Sequence, residues 1–435
     1  MHRIVIVGGG AGGLELATRL GDTMGREQKA LITLVDACPT HVWKPLLHEV
    51  AAGSLDVDAH QIEYAAQAHW HHFSFALGEM VELDSGSRRL RLSEIRDDER
   101  PNEVVLPTRW IEYDTLVLAL GSRTHSFGIS GAETHAVTMD TLEQAERLRK
   151  RLLHTCVRNN ALKEAGLHRT VKIAIIGGGA TGVELAGELR RMEESFRKFG
   201  LHASEPTGDF EITVFEAGTR ILPALPERIS AMAQQMLQQL GVSVSLSDPI
   251  VEVSRDQIRT RSGHIATTDI VIWAAGIKAP AVLGCINGLA VNHINQVTVD
   301  GKLRSVSDDN IFALGDCASC SWTNDRSVPP RAQAAHQQAV YLAKAISARA
   351  RGMAIGDFHY TDYGSLVSLG SSKAIGHLIG GFPGASLLLE GGLAKLMYTA
   401  LYQKHRTAIS GLRRTIVDVL AHRLRRMARP RVKLH

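Results

Sequence analysis

Three glycines near the start of the chain have the spacing of a dinucleotide-binding turn. Gly8, Gly10 and Gly13 fit the pattern G-x-G-x-x-G and directly follow the apolar, β-branched run at residues 4–7. In such a turn the first glycine permits a tight bend, the second lets the backbone approach a pyrophosphate, and the third packs a helix on a strand. The next apolar run ends at Asp36, whose carboxylate could bond the hydroxyls of an adenine ribose. These residues predict a strand, a turn and a helix that bind a dinucleotide.

The same arrangement recurs in the middle of the chain. Gly177, Gly179 and Gly182 follow the apolar run at residues 171–176, and a further apolar run ends at Glu216. One glycine pattern of this kind is weak evidence for nucleotide binding. Two copies, each with a strand, a helix and a terminal acid, argue strongly against a chance glycine-rich turn.

The acids that end these strands also bear on the choice of nucleotide. A carboxylate at this position bonds a free ribose 2′-hydroxyl and repels a 2′-phosphate. Asp36 and Glu216 therefore favour NADH over NADPH, although Arg220 lies close enough in sequence to leave the preference open.

The rest of the chain must supply the domains that position these residues. Its 435 residues exceed the usual single-domain range, and 44% hydrophobic with 22% charged residues is typical of a globular protein, so we expect two or three domains. The sequence shows no signal peptide, and the apolar stretch at residues 387–402 is too interrupted to span a membrane. Five cysteines without a framework spacing favour a reducing compartment, so the cytoplasm is the expected location. They are Cys38, Cys156, Cys285, Cys317 and Cys320.

Positive charge is concentrated at the C-terminal end. Residues 393–435 hold 11 Lys and Arg against one acid, whereas the whole chain has a net charge of +4, so the first 392 residues carry −6. Apolar residues recur at helical spacing on either side of residues 410–411, with Lys and Arg opposite. They are Leu393, Leu396, Met397, Ala400 and Leu401, then Leu412, Ile416, Val417, Leu420, Leu424 and Met427. The pattern favours basic amphipathic helices on an anionic lipid surface; packing on the protein's own core or on a homodimer partner is the alternative.

Three further segments give the chain a resemblance to the two-dinucleotide-binding-domain flavoproteins. The apolar runs that end at Gly121 and Gly276 look like the segments that close the two nucleotide-binding halves, and residues 311–316 look like the second FAD motif. The resemblance covers essentially the whole chain. It implies that the first glycine pattern binds FAD and the second binds NADH, with Asp316 bonding the ribityl chain of the flavin.

Longer stretches resemble the bacterial type II NADH dehydrogenases, which are single-subunit NADH:quinone oxidoreductases. They are residues 41–50, 221–226, 273–280 and 328–337. The last carries the family's A-Q-x-A-x-Q pattern, and this match implies that Gln333 and Gln337 lie at the junction of flavin and quinone site. The resemblance also implies cofactor contacts at Lys44 and Ala334 and a site role for Glu184.

The segment around these glutamines has a physical interpretation and a plainer alternative. A Pro-Pro pair suits the first turn of a helix, which should begin near Arg331. If that end faces the flavin, its N–H groups and dipole would stabilise negative charge on the reduced ring. From spacing alone, Gln333 and Gln337 could equally be an ordinary surface pair, and Glu184 could be a glutamate favoured by the dipole at a helix start.

Cys317 and Cys320 form a C-x-x-C pair, a spacing that redox disulfides and soft-metal sites use. The pair directly follows the FAD motif, and no second pair completes a zinc site, so a structural role is favoured. A disulfide or soft-metal reductase is the alternative enzyme. The histidines show no metal-ligand spacing, so no metal is expected. Nucleic-acid binding through the basic tail is the non-enzymatic alternative, but base-reading motifs are absent and no nucleic-acid partner is expected.

These observations predict an α/β protein with two Rossmann-like dinucleotide-binding domains and a C-terminal membrane-attachment module of amphipathic helices. The expected boundaries are residues 1–140 and 295–364 for the FAD domain, 141–294 for the inserted NADH domain and 365–435 for the C-terminal module. NADH, as substrate, would pass a hydride to FAD, and two electrons would then pass to a membrane quinone without proton pumping. We expect a peripheral protein on the cytoplasmic face of the inner membrane, with a homodimer left open.

Overall fold

Two parallel sheets of five strands form the centre of the fold. The computed structural model describes residues 1–164, 170–198, 210–323, 326–370, 374–379 and 386–428. All strand pairs of the first sheet are parallel. Its strand order is Ile311–Ala313, Thr115–Leu118, His2–Val7, Ala30–Asp36 and Ser74–Leu77. The chain therefore returns to the first sheet near residue 311, after it has formed the second sheet.

The second sheet repeats this arrangement. Its pairs are again parallel. Its strand order is Ala136–Val137, Ile270–Trp273, Val171–Ile176, Phe210–Glu216 and Ser243–Leu246. In both sheets the strand that precedes the glycines is central, and the strand that ends in an acid lies next to it. The predicted α/β fold with two Rossmann-like units is confirmed, while the domain boundaries stay a prediction.

The central strands are buried because helices follow them directly and pack on the sheets. Ile4 and Ile6 are fully buried, as expected for β-branched runs in a parallel sheet that is covered on both faces. Helix Ala11–Leu20 follows the first glycine turn and buries Leu14 and Leu16. Helix Ala180–Lys198 follows the second turn in the same way. Because such a helix connects a central strand to the next strand, the two neighbouring strands run parallel.

The remaining elements lie around these two units. The other strands are Thr40–His41, Ile62–Glu63, Met80–Asp84, Arg89–Leu92, Ile95–Arg96, Val104–Leu106, Arg109–Glu112, Arg123–Thr124, Ile250–Val253, Gln257–Thr260, Ile265–Thr267, Ile277–Lys278, Val297–Thr298, Ala318–Ser319, Gly364–Ser368, Ala374–Ile379 and Ser386–Glu390. The other α-helices are Leu47–Ala51, Tyr64–Trp70, Ala132–His135, Leu142–Glu164, Glu227–Gln239, Ala281–Cys285, Ala332–Arg349, Gly391–Ser410 and Leu412–Ala428. Short 3-10 turns cover Lys44–Leu46, Val57–Ala59 and Gly315–Cys317, and Gly21–Gly25 is a π-helical turn. Arg123–Thr124 pairs with Ile277–Lys278, where the chain passes between the two units.

The C-terminal part is a three-stranded antiparallel sheet followed by two helices. Helix Gly391–Ser410 buries Ala394, Tyr402 and Ile409 against the body of the protein. Its predicted apolar face is largely turned outward, as is that of helix Leu412–Ala428. The exposed apolar residues are Leu393, Leu396, Leu401, Leu412, Ile416, Val417, Leu420 and Leu424. Within the described ranges, no helix is both long enough and apolar enough to cross a membrane.

The glycine turns yield a prediction that separates folding from ligand binding. A Cβ on Gly13 would lie 1.9 Å from the carbonyl oxygen of Gly8, so Gly13→Ala must push the helix away from the strand. We expect Gly13→Ala to destabilise the protein by about 1–3 kcal/mol, the usual effect of overpacking. A Cβ on Gly10 meets no atom within 4 Å. Gly10→Ala, the matched control, should therefore keep the native melting temperature of the ligand-free protein and weaken only dinucleotide binding. Thermal unfolding with and without ligand measures both effects; equal stability of the two variants would contradict this interpretation.

Candidate functional site

The first glycine turn is fixed by hydrogen bonds to the neighbouring strand. Gly8 has a φ of +105°, and its N–H donates to the carbonyl of Val35 at 2.8 Å. The N–H of Gly9 donates to Oδ2 of Asp36 at 2.6 Å, and the N–H of Cys38 donates to Oδ1 at 2.8 Å. Burial raises the pKa of Asp36, and the N–H groups of Cys38 and Gly9 oppose that shift. The carboxylate is therefore held at the turn in a defined orientation.

The second turn has the same hydrogen bonds at equivalent atoms. Gly177 has a φ of +114°, and its N–H donates to the carbonyl of Phe215 at 2.8 Å. The N–H of Gly178 donates to Oε2 of Glu216 at 2.7 Å, and the N–H of Gly218 donates to Oε1 at 2.8 Å. The repeat that the sequence predicts thus extends to individual backbone bonds.

In each turn one glycine is packed tightly against the backbone and another borders empty space. A bound pyrophosphate requires both features. Cβ atoms on Gly13 and Gly182 would lie 1.9 and 2.0 Å from the first glycine's carbonyl oxygen. Cβ atoms on Gly10 and Gly179 would meet nothing within 4 Å. The open backbone lies at the N-terminus of a helix, where N–H groups and the helix dipole favour an anion. Both turns therefore fit the diphosphate of a dinucleotide.

Asp316 lies at the end of the first sheet, in a turn that several side chains fix. Gly315 has a φ of +72°, and its N–H donates to Oε1 of the buried Gln338 at 2.7 Å. Ser122 donates from its hydroxyl to Oδ2 of Asp316 at 2.7 Å, and Gln296 donates from its amide to the carbonyl of Asp316 at 2.9 Å. No sequence pattern predicts the roles of Ser122, Gln296 and Gln338, because their hydrogen-bond partners lie far away along the chain.

Lys44 joins this region to the segment that links the two units. Its ammonium donates to the carbonyl of Ser122 at 2.7 Å and to the carboxylate of Asp140 at 3.1 Å. Gly121 and Gly276, which close the two nucleotide-binding halves, both have a φ of +67°. Lys44 therefore lies next to the predicted FAD turn, beside Gly121, with its charge paired.

The helix with the two glutamines begins where the sequence predicts. It covers Ala332–Arg349, with Arg331 at the N-cap and Ala334 buried in its first turn. Gln333 donates to the carbonyl of Gly364 at 3.0 Å, and Gln337 donates to the carbonyl of Thr361 at 2.8 Å. Both glutamines therefore hold residues 361–364 against the helix.

An open groove of about 290 Å³ runs along the same helix beside Gln337. Its lining combines cationic or titratable groups with apolar and aromatic ones. The lining residues are His336, Gln337, Val340, Tyr341, Lys344, Phe358 and His359. This face of the helix is therefore open to solvent beside Gln337.

Glu184 lies at the opposite end of the strand that Gln333 contacts. It is 7% exposed, and its Oε1 accepts the N–H of Ser368 at 3.1 Å. Its Oε2 lies 3.6 Å from Nδ1 of the buried His48. Strand Gly364–Ser368 thus connects the predicted catalytic residues, with Gln333 at its first residue and Glu184 at its last.

The C-x-x-C pair lacks the properties of a redox or metal site. All five cysteines are free thiols, and Cys317 and Cys320 are buried. Burial raises the pKa of Cys317 to about 12 and that of Cys320 to about 11, so neither is a thiolate at neutral pH. Among the residues described, no group of three or more His, Cys, Asp or Glu side chains could hold a metal ion. These thiols are part of the hydrophobic core.

Known proteins share both the sequence and the fold. The family model described as pyridine nucleotide-disulphide oxidoreductase matches residues 2–339. The type II NADH:quinone oxidoreductase of Haemophilus influenzae is 39% identical to this chain over an alignment of 447 residues. The alignment covers 100% of each of the two chains. The protein of the same name from Staphylococcus aureus is 27% identical, over 87% of this chain and 90% of that one.

Solved structures show the same architecture. NDH2 from Plasmodium falciparum in complex with RYL-552 has a TM-score of 0.78 at 19% identity, over 99% of this chain and 100% of that chain. The sulfide:quinone oxidoreductase from Aquifex aeolicus has a TM-score of 0.70 at 17% identity, over 94% and 92%. At these identities the likeness concerns the fold, whereas the full-length match at 39% identity extends to the family. The chain therefore belongs to the pyridine nucleotide-disulphide oxidoreductases and, among them, to the type II NADH:quinone oxidoreductase family.

Proposed function

We propose that this protein oxidises NADH and reduces a membrane quinone through a bound FAD. The observation that carries the proposal is the duplicated turn, in which Gly9 and Gly178 bond equivalent acids, in a chain of the type II NADH:quinone oxidoreductase family. Two turns of this kind allow two dinucleotides to bind in one chain. The flavin supplies the two-electron carrier between nicotinamide and quinone, and the protein supplies binding and orientation.

The first unit is the proposed FAD site. Asp36 lies where it can accept the ribose hydroxyls of the adenosine, and the open backbone at Gly10 leaves room for the diphosphate. Asp316, held by Ser122, lies in the second FAD motif and is proposed to bond the ribityl chain. The ammonium of Lys44, which is paired with the carboxylate of Asp140, is proposed to lie beside the cofactor.

The second unit is the proposed NADH site. Glu216 presents a carboxylate beside the open turn at Gly179, which suits a free 2′-hydroxyl. Arg220, the residue that left the nucleotide preference open, donates to the carbonyls of Leu225 and Pro223 at 2.8 Å. Its guanidinium is therefore engaged by its own loop, which favours NADH over NADPH. Glu184, two residues after Gly182, is proposed to face the nicotinamide.

Quinone reduction is proposed at the helix that begins with Ala332. Its N-terminus would stabilise negative charge on the reduced flavin, and Gln333 and Gln337 would shape the quinone side by holding residues 361–364. The adjacent groove offers an apolar wall next to Gln337, as a quinone ring requires.

Attachment to an anionic lipid surface is proposed for the last two helices. Leu396 and Leu424 are 66% and 69% exposed, so these helices do not use their apolar faces to complete the core of the chain. Eleven Lys and Arg against one acid in residues 393–435 complement anionic headgroups. The proposed location is the cytoplasmic face of the inner membrane, with the chain as a peripheral protein. A second copy of the chain is the competing partner for the exposed face.

The proposed function is tested by the visible spectrum of the purified protein. We expect flavin bands that bleach when NADH is added without oxygen and return when a soluble quinone is added. The control is the thiol content of the protein after purification. A disulfide reductase would contain Cys317 and Cys320 as a disulfide, whereas the proposed function leaves both as free thiols. A protein without flavin bands, or with bands that NADH leaves unchanged, would rule out the proposal.

Nucleotide choice should depend on the charge of Glu216. Glu216→Gln keeps an acceptor for one backbone N–H but removes the charge that repels a 2′-phosphate. We expect the ratio of kcat/KM for NADPH to that for NADH to rise about tenfold, the effect of roughly 1.4 kcal/mol. The matched control is Asp36→Asn, which makes the same change in the first turn and should leave the ratio unchanged. If Glu216→Gln also leaves it unchanged, another residue reads the ribose.

Removal of the last helix should separate lipid attachment from catalysis. Helix Gly391–Ser410 contributes Tyr402 and Ile409 to the cores, whereas helix Leu412–Ala428 is mostly exposed, so truncation after Gly411 spares the body. We expect the truncated protein to retain flavin and reduce a soluble quinone but to sediment poorly with anionic vesicles. High salt should loosen the full-length protein without releasing it, because each Lys or Arg contributes only about 1 kcal/mol beside apolar burial. Equal sedimentation of both proteins would contradict lipid attachment. So would a full-length protein that is a dimer in solution and becomes a monomer on truncation, because the exposed face would then bind a second copy of the chain.

A further inference from the structure

The carbonyl group of Gly9, in the first glycine turn, accepts two side-chain hydrogen bonds inside the protein. The hydroxyl of Tyr64 donates to it at 2.8 Å, and Nδ1 of His41 lies 2.9 Å away. Burial raises the pKa of Tyr64 well above its ordinary value, so the hydroxyl keeps its proton and donates. Tyr64 and His41 are 2% and 3% exposed. The Gly9 carbonyl is thus held inward by two buried donors.

A second histidine, His405 of helix Gly391–Ser410, continues this chain of contacts. Its Nε2 lies 3.0 Å from Nε2 of His41. Because Nδ1 of His41 donates to a carbonyl, a neutral His41 has an unprotonated Nε2, and Nε2 of His405 must be the donor between the two rings. Both rings are neutral at neutral pH, since burial lowers the pKa of His41 to about 4 and that of His405 to about 2, and the charge of Arg406 also disfavours protonation of His405. The direction of each hydrogen bond is therefore determined.

The position of His405 is fixed by its packing on the body of the protein. Its ring stacks on Trp43 with centroids 5.5 Å apart and an interplanar angle of 20°. One residue further, Arg406 pairs with Asp418 of helix Leu412–Ala428 at 2.6 Å. At the end of helix Gly391–Ser410, Ser410 accepts a hydrogen bond from the amide of Gln67 at 3.1 Å. His405 thus reaches His41 from a helix that is docked at several points.

The orientation of the Gly9 carbonyl decides where the next N–H group points. The carbonyl of Gly9 and the N–H of Gly10 belong to one planar trans peptide, so they point in opposite directions. With the carbonyl held inward, the Gly10 N–H points away from the protein interior, and a Cβ on Gly10 would meet no atom within 4 Å. That is the open backbone which fits a diphosphate. Three side chains from outside the turn, Tyr64, His41 and His405, therefore act on the peptide that carries the Gly10 N–H.

We propose that His405 is a positioning residue for FAD: it donates to His41, which holds the Gly9 carbonyl inward and so directs the Gly10 N–H at the diphosphate. The proposal rests on the proposed function only in placing FAD at the first turn. It assigns the helix Gly391–Ser410 a part in cofactor retention as well as in lipid attachment. Helix Gly391–Ser410 is then a component of the flavin site, whereas helix Leu412–Ala428 is the separable part of the C-terminal region.

The test compares the rate of FAD release from holoenzyme variants, followed as the rise in flavin fluorescence after dilution. His405→Phe keeps the aromatic stack on Trp43 but removes the donor, and leaves a buried acceptor on His41 unsatisfied. We expect FAD release to accelerate roughly tenfold, the scale of one buried acceptor without its donor. His405→Gln, whose amide N–H lies at a similar distance from the backbone, should restore slow release. Tyr402→Phe is the matched control on the same helix, because it keeps the packing against Trp43 and lies outside the hydrogen-bonded chain.

A second variant keeps the proposal open to test if His405→Phe does not fold. Tyr64→Phe removes the other donor to the same carbonyl, leaves the C-terminal helix intact and should also accelerate FAD release. Unchanged release in His405→Phe or in Tyr64→Phe would overturn the proposal, and so would equal acceleration in His405→Phe, His405→Gln and Tyr402→Phe, which would indicate packing alone. If the native protein binds FAD and is reduced by NADH while the variants behave like it, only this inference fails. A native protein that binds no FAD at all would instead refute the proposed function.

Discussion

The close approach of a helix to the strand before it is the constraint on which the rest of the structure depends. At Gly13 and again at Gly182, the helix backbone passes so near the carbonyl of the first glycine that any side chain would collide with it. This approach places the helix N-terminus directly over the open end of the sheet. It also brings the acid of the next strand within hydrogen-bonding distance of the turn, at Asp36 in one unit and Glu216 in the other. One steric condition therefore sets both the proposed place for a diphosphate and the carboxylate proposed to bond the ribose.

The two copies share this condition but differ in what surrounds it. In the first turn, Tyr64 lies against Gly9 and bonds its carbonyl, and a Cβ on Gly9 would collide with the tyrosine ring. In the second, a Cβ on Gly178 would meet the side chains of Ile221 and Glu216 instead. The carbonyl of Gly9 thus accepts side-chain donors, whereas the carbonyl of Gly178 accepts the backbone N–H of Leu222 at 2.7 Å. This difference agrees with the proposed roles of the two turns, because a retained cofactor and a substrate that leaves after each turnover make different demands on their sites.

In helix Gly391–Ser410, the apolar residues that recur at helical spacing are not the residues that dock the helix on the protein. The residues that recur at helical spacing in helix Gly391–Ser410 are largely exposed, while the residues that dock it are Tyr402, His405 and Ile409. These docking residues lie on the opposite side of the helix, among polar neighbours that obscure them in the sequence. The helix therefore has two apolar faces, one packed on the body of the protein and one exposed, and only the second is apparent from hydrophobic periodicity.

The sequence by itself determined the two glycine turns, their strands and acids, the helix that begins after Arg331, and hence the α/β fold and the family. It could do so because those features are local: a glycine that must avoid a steric clash and a strand that must be apolar are specified within about ten residues. Tertiary structure alone decided that Gln338, Ser122 and Gln296 hold the turn at Asp316, that Gln333 and Glu184 meet one strand, and that His405 reaches His41 across 364 positions. Such pairs have no spacing rule, because chain folding and not sequence distance brings their hydrogen-bonding groups together.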